Sequence, residues 1–207
     1  IALTAVGGVL LVVHPSVPAN TLPELVELLR REPAQYPSYG SWGVGSNGHL
    51  TMEWIRQRTG ITLNHVPYKT SPGLVTDIVG GVIPIGWVDL VSPLGFIQQG
   101  RLRGIAVNGN ARASRLPDVK LMSEQGFPFP ATGWNGVFAP KNTPAPILDR
   151  LHDAINAALS TPAVQEGSRR VNVEPTQGIS RPAFAKIVEN DLAVWRKIVV
   201  DGNIKPE

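Results

Sequence analysis

The chain has 207 residues, of which 43% are hydrophobic and 17% are charged, and its formal net charge is +3 at pH 7. This balance excludes a disordered polyelectrolyte, and the scattered lysines and arginines form no basic stripe of the kind that binds nucleic acid. Without cysteine the chain has no disulfide, thiolate ligand or thiol nucleophile, and its four histidines show no metal-binding spacing.

The first half of the sequence alternates apolar strands with helices. An apolar segment stands at residue 1, and a buried strand is predicted at 9–13. Thr21 and Glu24 form a capping box at the start of a helix that ends near Arg31. Further strands are predicted at 61–66, 83–88 and 102–107, and further helices at 47–59, 74–79 and 93–99. This alternation predicts a mainly parallel sheet, beyond whose carboxyl strand ends a ligand binds.

The second half of the sequence has a different texture. Residues 108–132 are rich in turns and are predicted to carry the chain from one lobe to another. A strand is predicted at 134–139, and two later helices carry apolar stripes that we expect to face the core. The stripes are Ile147, Leu148, Leu151, Ile155 and Leu159, and Phe184, Ile187, Val188, Leu192, Trp195, Ile198 and Val199. No apolar run reaches the roughly 20 residues of a membrane span.

The most distinctive segment is the tract from Gly40 to Leu50, Gly-Ser-Trp-Gly-Val-Gly-Ser-Asn-Gly-His-Leu. A glycine-rich turn that enters a helix presents unpaired backbone N–H groups to an anion. Glycine also lets a carboxylate or phosphate approach the main chain closely, because it has no Cβ. The tract therefore predicts an anion site, or in the simpler interpretation a flexible turn.

Two nucleotide-binding motifs nearly fit this tract. Gly43, Gly45 and Gly48 match G-x-G-x-x-G, and the first and last are spaced as in a P-loop. A dinucleotide site needs an acidic residue roughly 20 positions further on, where Tyr68 and Lys69 stand. The lysine and the Ser/Thr of a P-loop are replaced by histidine and leucine. A nucleotide-dependent oxidoreductase is therefore kept only as the alternative hypothesis.

Further blocks along the sequence carry a resemblance to a known family. They are His-Pro-Ser-Val-Pro at 14–18, Gly-Val-Gly-Ser at 43–46 with the histidine and leucine at 49–50, His-Val-Pro-Tyr-Lys at 65–69, Asp-Ile-Val-Gly-Gly at 77–81, Arg-Leu-Pro-Asp-Val at 115–119, Trp-Asn-Gly at 134–136 and Ala-Pro-Lys-Asn-Thr-Pro at 139–144. In order and spacing this set resembles the Bug-type, or TctC-like, extracytoplasmic solute receptors of tripartite tricarboxylate transport systems.

The resemblance implies an α/β protein with the type II periplasmic-binding-protein fold. Its two α/β lobes, with mainly parallel sheets, would close on a small carboxylate and deliver it to a membrane transporter without chemistry. Residues 14–107 would form lobe two, which binds the ligand, and residues 1–13 and 108–207 a partial lobe one that includes the C-terminal helices. Family members are longer, so we expect a signal peptide and the front of lobe one to lie outside these residues, leaving lobe one incomplete.

The resemblance also implies which residues meet the ligand. The expected ligand-binding residues are Gly45, Ser46, Asn47, Gly48, His49, Tyr68, Lys69 and Asp89. The backbone amides of residues 45–48 and the hydroxyl of Ser46 would hold the carboxylate, while Tyr68 and Lys69 would offer a hydroxyl and a cation. The family's glycine after this lysine is Thr70 here, which leaves the tightness of that loop open.

Each of these residues also has a purely structural interpretation. Ser46 or Asn47 caps the following helix, His49 packs at the lobe surface, and Lys69 is solvated. Asp89 either accepts a hydrogen bond from a ligand amine or orders a water, or it only caps the helix at residue 93. The same choice between pocket wall and core applies to Trp42 and Trp87, whereas Trp195 is expected in the core.

The hypothesis that best fits these observations is a periplasmic, non-enzymatic solute-binding protein. It would capture a di- or tricarboxylate, an acidic amino acid or an aromatic acid, with no cofactor and no metal. Its partners would be the membrane components of a tripartite tricarboxylate transporter, and nucleic acid is not expected to bind. A further hypothesis is self-association, in which another copy covers exposed strands of lobe one.

Overall fold

The computed structural model describes residues 1–131, 133–171 and 173–205. Within them the chain forms a larger and a smaller sheet. The strands of the larger sheet are β2 (Val9–Val13), β3 (Ser38–Ser41), β4 (Asn64–Pro67), β5 (Ile85–Val88) and β6 (Arg103–Asn108); those of the smaller sheet are β1 (Ala2–Gly7), β7 (Gly133–Val137) and β8 (Val173–Pro175). Apart from shifted ends, the strands predicted from the sequence are present.

The larger sheet has the order β4-β3-β5-β2-β6. β3 pairs in parallel with β4 and β5, whereas β2 pairs antiparallel with β5 and β6. Four of its described strands therefore run in one direction, and β2 runs against them. The carboxyl ends of β3, β4 and β5 meet at one edge, as the sequence analysis expects of this lobe.

Helices cover both faces of the larger sheet. They are α1 (Leu22–Arg31), α2 (Asn47–Thr59), α3 (Ser71–Val79) and α4 (Leu94–Gln98). The side chains of β2 alternate between two apolar clusters, with Leu11 packed on the side of α1 and α2 and Val12 on the side of α3. α1 begins at the predicted cap, where the Thr21 hydroxyl accepts the Glu24 N–H at 3.3 Å. The core thus lies in two layers around an entirely buried strand.

The smaller sheet has the order β7-β1-β8 and is antiparallel throughout. The expectation of mainly parallel sheets therefore does not extend to this lobe, because its strands return from distant parts of the chain to flank β1. Its helices are α5 (Ala145–Leu159), α6 (Pro162–Arg170) and α7 (Arg181–Asp201). Neither α6 nor β8 was predicted from the sequence. The end of α7 reaches the other lobe, where the Gln57 side chain donates to the carbonyl of Ile198 at 3.1 Å.

The chain crosses between the sheets at two places, and both differ from the predicted boundaries. The first crossing lies at Gly8, between β1 and β2, rather than after Val13. A Cβ on Gly8 would stand 2.5 Å from the carbonyl oxygen of Asn108, so the crossing strands touch there. The second crossing follows residue 122, because Leu116 and Met122 still pack in the cores of the larger sheet. The predicted connection ends at Thr132, outside the described residues. β2 pairs with β5 and β6, which are distant in the chain, so its sheet cannot be predicted from its own sequence.

The predicted apolar stripes are only partly in the core. On α5, Leu159 is buried, but Ile147 and Leu151 are 50% and 40% exposed. On α7, Phe184 and Ile198 are buried whereas Leu192 is 58% exposed. The expectation that both stripes face the core is therefore wrong at these exposed positions, because nothing else in the described chain covers them. In the same residues, no helix combines the length and apolar character needed to cross a membrane.

Candidate functional site

The site is built where β3 ends and α2 begins. β3 ends at Ser41, and the glycine-rich loop (residues 42–46) leads into α2, whose N-cap is Ser46. Gly43 and Gly45 have φ angles of 124° and 75°, a region in which other residues are strained. These glycines therefore allow the tight turn by which the chain passes from strand to helix.

Ser46 serves as the helix cap. Its hydroxyl accepts the backbone N–H of His49 at 3.3 Å and lies 3.0 Å from the hydroxyl of Ser41. In the part of the chain that the structure describes, the backbone N–H groups of Asn47 and Gly48 have no acceptor, as is usual for the first N–H groups of a helix. Of the four amides expected to meet an anion, these two are available. Those of Gly45 and Ser46 donate within the loop region, the latter to the carbonyl of Gly43 at 3.3 Å.

Gly48 fixes how closely α2 approaches the sheet. A Cβ at this position would stand 2.5 Å from the Cβ of Trp87, and 3.3 Å from the ring of Trp42. Trp87 is fully buried, while Trp42 is partly buried at the edge of the same core. The core interpretation thus holds for Trp87.

His49 lies beneath the glycine-rich loop. Its Nδ1 accepts the backbone N–H of Gly45 at 2.9 Å, and its ring stacks on that of His65, with 3.9 Å between ring centroids and 11° between planes. The Nε2 of His65 lies 2.7 Å from the Ser41 hydroxyl. Only 5% of His49 is exposed. His49 is therefore a buried support of the loop rather than a side chain that reaches across a cleft.

Both imidazoles are held in the neutral form. Burial, together with the neighbouring His49, lowers the pKa of His65 to about 4. Burial also lowers the pKa of His49, against the opposing effect of the Glu53 carboxylate. That carboxylate is engaged elsewhere, since it accepts from Arg56 at 2.6 Å and from the Tyr39 hydroxyl at 3.3 Å. A polar network that carries little net charge therefore underlies the loop.

A cleft of about 380 Å³ opens beside the start of α2. Gly45, Asn47 and Leu50 line it from the larger sheet, and Gly133, Trp134 and Trp195 line it from the smaller one. Both tryptophans also contact residues outside the cleft, which fix their positions. The indole N–H of Trp134 donates to Asp191 at 2.6 Å, and the ring of Trp195 packs on Phe129 with centroids 5.3 Å apart. None of the lining side chains is charged.

Asn47 connects this cleft to the crossing between the lobes. Its Oδ1 accepts from the Thr51 hydroxyl at 3.0 Å, which in turn accepts the side-chain amide of Asn108 at 2.8 Å. A Cβ on Gly133 would stand 3.0 Å from Nδ2 of Asn47, so this side chain touches the opposite lobe. Asn47 thus links the first turn of α2 to the crossing strand and to lobe one.

Tyr68 and Lys69 stand at the end of β4, away from the residues that line the cleft. The Tyr68 hydroxyl donates to Asp77 at 2.8 Å, and burial together with this carboxylate raises the Tyr68 pKa to about 12. Lys69 is exposed. Thr70 caps α3 by accepting the Gly73 N–H at 3.3 Å, which accounts for a threonine where the family resemblance implies glycine.

Asp89 organises its own loop. Its carboxylate accepts the backbone N–H groups of Val91 at 2.7 Å and Ser92 at 2.8 Å, and the Ser92 hydroxyl at 2.5 Å. Burial raises the Asp89 pKa, but hydrogen bonds from Ser71, Ser92 and Val91 outweigh it and hold the pKa below its ordinary value. Asp89 thus holds the loop before α4, whereas α4 has Pro93 as its N-cap and no side-chain cap, so the expectation that Asp89 caps this helix is wrong. A contact of Asp89 with a ligand stays a prediction.

The described side chains contain no metal-ligand cluster, and the serine of the serine–histidine pair beneath the loop is buried. No group of three or more possible metal ligands is present among them. Ser41 and His65 form a serine–histidine hydrogen bond, but Ser41 is fully buried and its hydroxyl also donates to the Gly43 carbonyl at 3.1 Å. A substrate cannot reach this oxygen, so the pair supports the loop.

Sequence reasoning missed three contributors to the site. Trp195 packs against the core of the larger sheet and Trp134 lies in a strand, both as expected, but nothing in either local pattern indicates that they also line the cleft beside α2. Asn108 is 2% exposed at the end of an apolar strand. A buried amide must find hydrogen-bond partners, so an asparagine at the end of an otherwise apolar strand is the signal from which this role could have been predicted.

Comparison with known proteins gives concordant results. Residues 1–204 match the family described as tripartite tricarboxylate transporter family receptor. Protein BugT of Bordetella pertussis is 30% identical over 209 residues, which cover 99% of this chain and 63% of BugT.

Solved structures match the fold as well. One described as a periplasmic transporter superimposes with a TM-score of 0.85 at 32% identity, over 99% of this chain and 68% of that chain. Rpa4515 of R. palustris, solved with adipate, gives a TM-score of 0.81 at 28% identity, over 100% of this chain and 69% of that chain. The 207 residues thus span less than two thirds of BugT and just over two thirds of these solved chains.

Proposed function

The chain belongs to the tripartite tricarboxylate transporter receptor family, and we propose that it contains the ligand-binding part of a solute-binding protein for a small carboxylate. Its fold is that of the periplasmic binding proteins of this type. The observation that carries the proposal is the start of α2, where the free N–H groups of Asn47 and Gly48 stand beside an uncharged cleft. Such a helix end favours an anion through both its amides and its dipole.

A carboxylate fits this arrangement better than a nucleotide phosphate. The cleft's lining offers amides and one carboxamide but no cation to neutralise several phosphate charges. Rpa4515, at 28% identity, was solved with adipate, a dicarboxylate. In this proposal one carboxylate of the ligand meets the α2 amides, and Asn47 adds a side-chain hydrogen bond.

The wall of the cleft that faces the start of α2 indicates which class of carboxylate fits. Trp134 and Trp195 present two indole rings to the cleft, and rings of this size favour apolar or aromatic partners. We infer that an aliphatic dicarboxylate or an aromatic acid fits this wall better than a tricarboxylate, whose three charges would face it without a counter-ion.

The predicted site residues take different roles in this proposal. Asn47 and Gly48 donate to the ligand, Gly45 shapes the loop, and Ser46 and His49 support it from the cap and from below. Lys69 at the β4 end would attract an anion toward the cleft without touching it. Tyr68 and Asp89 would contribute only if the loops that hold them move on binding.

Membership of this family supports a proposal for the cellular role. We propose that the protein acts outside the cytoplasm, in the periplasm, and passes its ligand to the membrane components of the transporter without chemistry. Self-association, in which another copy covers exposed strands of lobe one, stays a separate prediction, which light scattering tests. A monodisperse monomer of this chain would contradict it.

Titration calorimetry tests the proposed function. The intact protein that carries these 207 residues is titrated with adipate, glutamate, citrate and benzoate, with adipamide as the uncharged match for adipate, and with NAD and ATP. We expect saturable heat with at least one carboxylate and none with adipamide. Silence across the carboxylates, or saturable binding of NAD or ATP, would contradict the proposal, and the latter would favour the nucleotide-dependent alternative.

A further inference from the structure

We propose that His49 is a positioning residue of the carboxylate site: its neutral ring accepts the Gly45 N–H and thereby holds the glycine-rich loop in its ligand-receiving shape. This inference rests on the proposed function. It assigns to His49 a role beneath the loop, in place of a direct contact with the ligand. The hydrogen bond of 2.9 Å between the Gly45 nitrogen and Nδ1 is the contact that carries it.

The chemistry of imidazole fixes the required form of the ring. Nδ1 accepts from Gly45, so it carries no proton, and the single proton of the neutral ring lies on Nε2. Nε2 faces the Glu53 carboxylate, 4.0 Å away. A protonated ring would place an N–H on Nδ1 directly against the N–H of Gly45. The loop contact and the charged form of His49 therefore exclude each other.

The groups around His49 favour the neutral form. On α2 these are Glu53 and Arg56, which pair with each other at 2.6 Å. On β3 the Tyr39 hydroxyl also binds Glu53, and on β4 the ring of His65 stacks on His49. Because Arg56 and Tyr39 engage the Glu53 carboxylate, it is a weak partner for an imidazolium.

The hydrogen bond to His49 holds the glycine-rich loop at Gly45, a residue with large backbone freedom. Gly45 has a φ of 75°, is exposed and lines the cleft. A glycine peptide with free rotation would sample many conformations, and the bond to His49 selects one of them. Ser46, the next residue, caps α2, so a change at Gly45 alters the direction of the amides that follow. Loss of the acceptor should therefore weaken ligand binding more than it weakens the fold.

Three variants separate this role from simple packing. His49→Asn retains an acceptor oxygen near the position of Nδ1, whereas His49→Leu keeps bulk without an acceptor. His14→Leu is the matched control, because His14 lies far from the site. It follows β2, which runs antiparallel to β5, so it stands at the opposite edge of the sheet. Its ring contacts Ser16 there. Adipate is the probe, measured by calorimetry on the intact protein.

We expect His49→Leu to weaken adipate binding about tenfold and His49→Asn at most about threefold, as for loss and partial retention of one hydrogen bond. His14→Leu should leave the affinity unchanged. From pH 7 to pH 5 the wild-type affinity should fall more than that of His49→Asn, which has no group to titrate at this position. Equal losses in the Asn and Leu variants, or identical pH profiles of wild type and His49→Asn, would overturn the inference.

A readout without ligand distinguishes failure of this inference from failure of the proposed function. Amide hydrogen exchange of Gly45 reports the bond to His49 directly. We expect the Gly45 amide to be protected in the wild type and in His49→Asn, and to exchange at least about tenfold faster in His49→Leu. Unchanged protection in His49→Leu would overturn the positioning role even if no carboxylate binds to any variant.

Discussion

Gly48 lies directly against Trp87: a Cβ on Gly48 would stand 2.5 Å from the Cβ of the buried tryptophan. The glycine thus lets the first turn of α2 sit on the sheet, at the place where its amides meet the cleft. The closeness of this contact was not predictable from the sequence, which indicates only that glycine favours the turn.

Gly48→Ala is expected to destabilise the fold. The added methyl group overpacks the contact with the Trp87 side chain, so we expect a loss of about 1–3 kcal/mol in the free energy of unfolding, measured by chemical denaturation. Gly167→Ala in α6 is the matched control, because a Cβ there meets nothing within 4 Å. The control should be neutral or stabilising by about 0.5–1 kcal/mol. Equal stability of the two variants would contradict this account of the helix–sheet contact.

Thr51→Val is expected to cost stability by weakening the hydrogen bonding of the buried Asn108 amide, which then keeps only the longer contact of 3.4 Å to Oδ1 of Asn47. The hydroxyl of Thr51, which is fully buried, accepts from Asn108 at 2.8 Å. Valine has nearly the same shape but no acceptor, so we expect a loss of about 1–3 kcal/mol on unfolding. A double-mutant cycle with Asn108→Ala should show a coupling of at least about 0.5 kcal/mol. Additive effects would show that the two side chains do not depend on each other.

Trp195→Leu is expected to change ligand selectivity. Because this indole lines the cleft, its loss should weaken benzoate binding by about threefold to tenfold and acetate binding much less. Phe96→Leu is the matched control, since Phe96 packs against the apolar cluster on the α3 side of the larger sheet. It should lower stability while leaving the ratio of the two affinities unchanged. If Trp195→Leu keeps the wild-type ratio of benzoate to acetate affinity, Trp195 does not contact the ligand and this prediction is wrong.

Local signals in the sequence were sufficient for much of the fold. Ser46 and Gly60 bound α2 at the predicted residues, because capping and left-handed glycine act within one turn. Non-local features were not predictable in the same way. β2 was placed in the wrong lobe, since its hydrogen-bond partners lie far away in the chain. The position of Trp195 depends on how α7 returns to the other lobe, which no local pattern records.

Acidification is expected to destabilise the fold through the buried imidazoles. Burial lowers the His65 pKa from 6.5 to about 4 and lowers that of His49 as well. Between these values the unfolded chain binds more protons than the folded one, so the free energy of unfolding falls as the pH drops below 6.5. Denaturation at pH 7 and pH 5.5 should show this fall before carboxylates titrate. His65→Asn should flatten it, and an unchanged slope in that variant would contradict the assignment.

The central claim is that the start of α2 holds the ligand's carboxylate, and amide chemical shifts test it most directly. In ¹⁵N-labelled intact protein, titration with adipate should shift the amides of Asn47 and Gly48 most strongly and saturably, whereas adipamide should leave them in place. We expect smaller chemical-shift changes for the backbone amides of Tyr68 and Asp89. Saturable binding of adipate that leaves the Asn47 and Gly48 amides unmoved would contradict it.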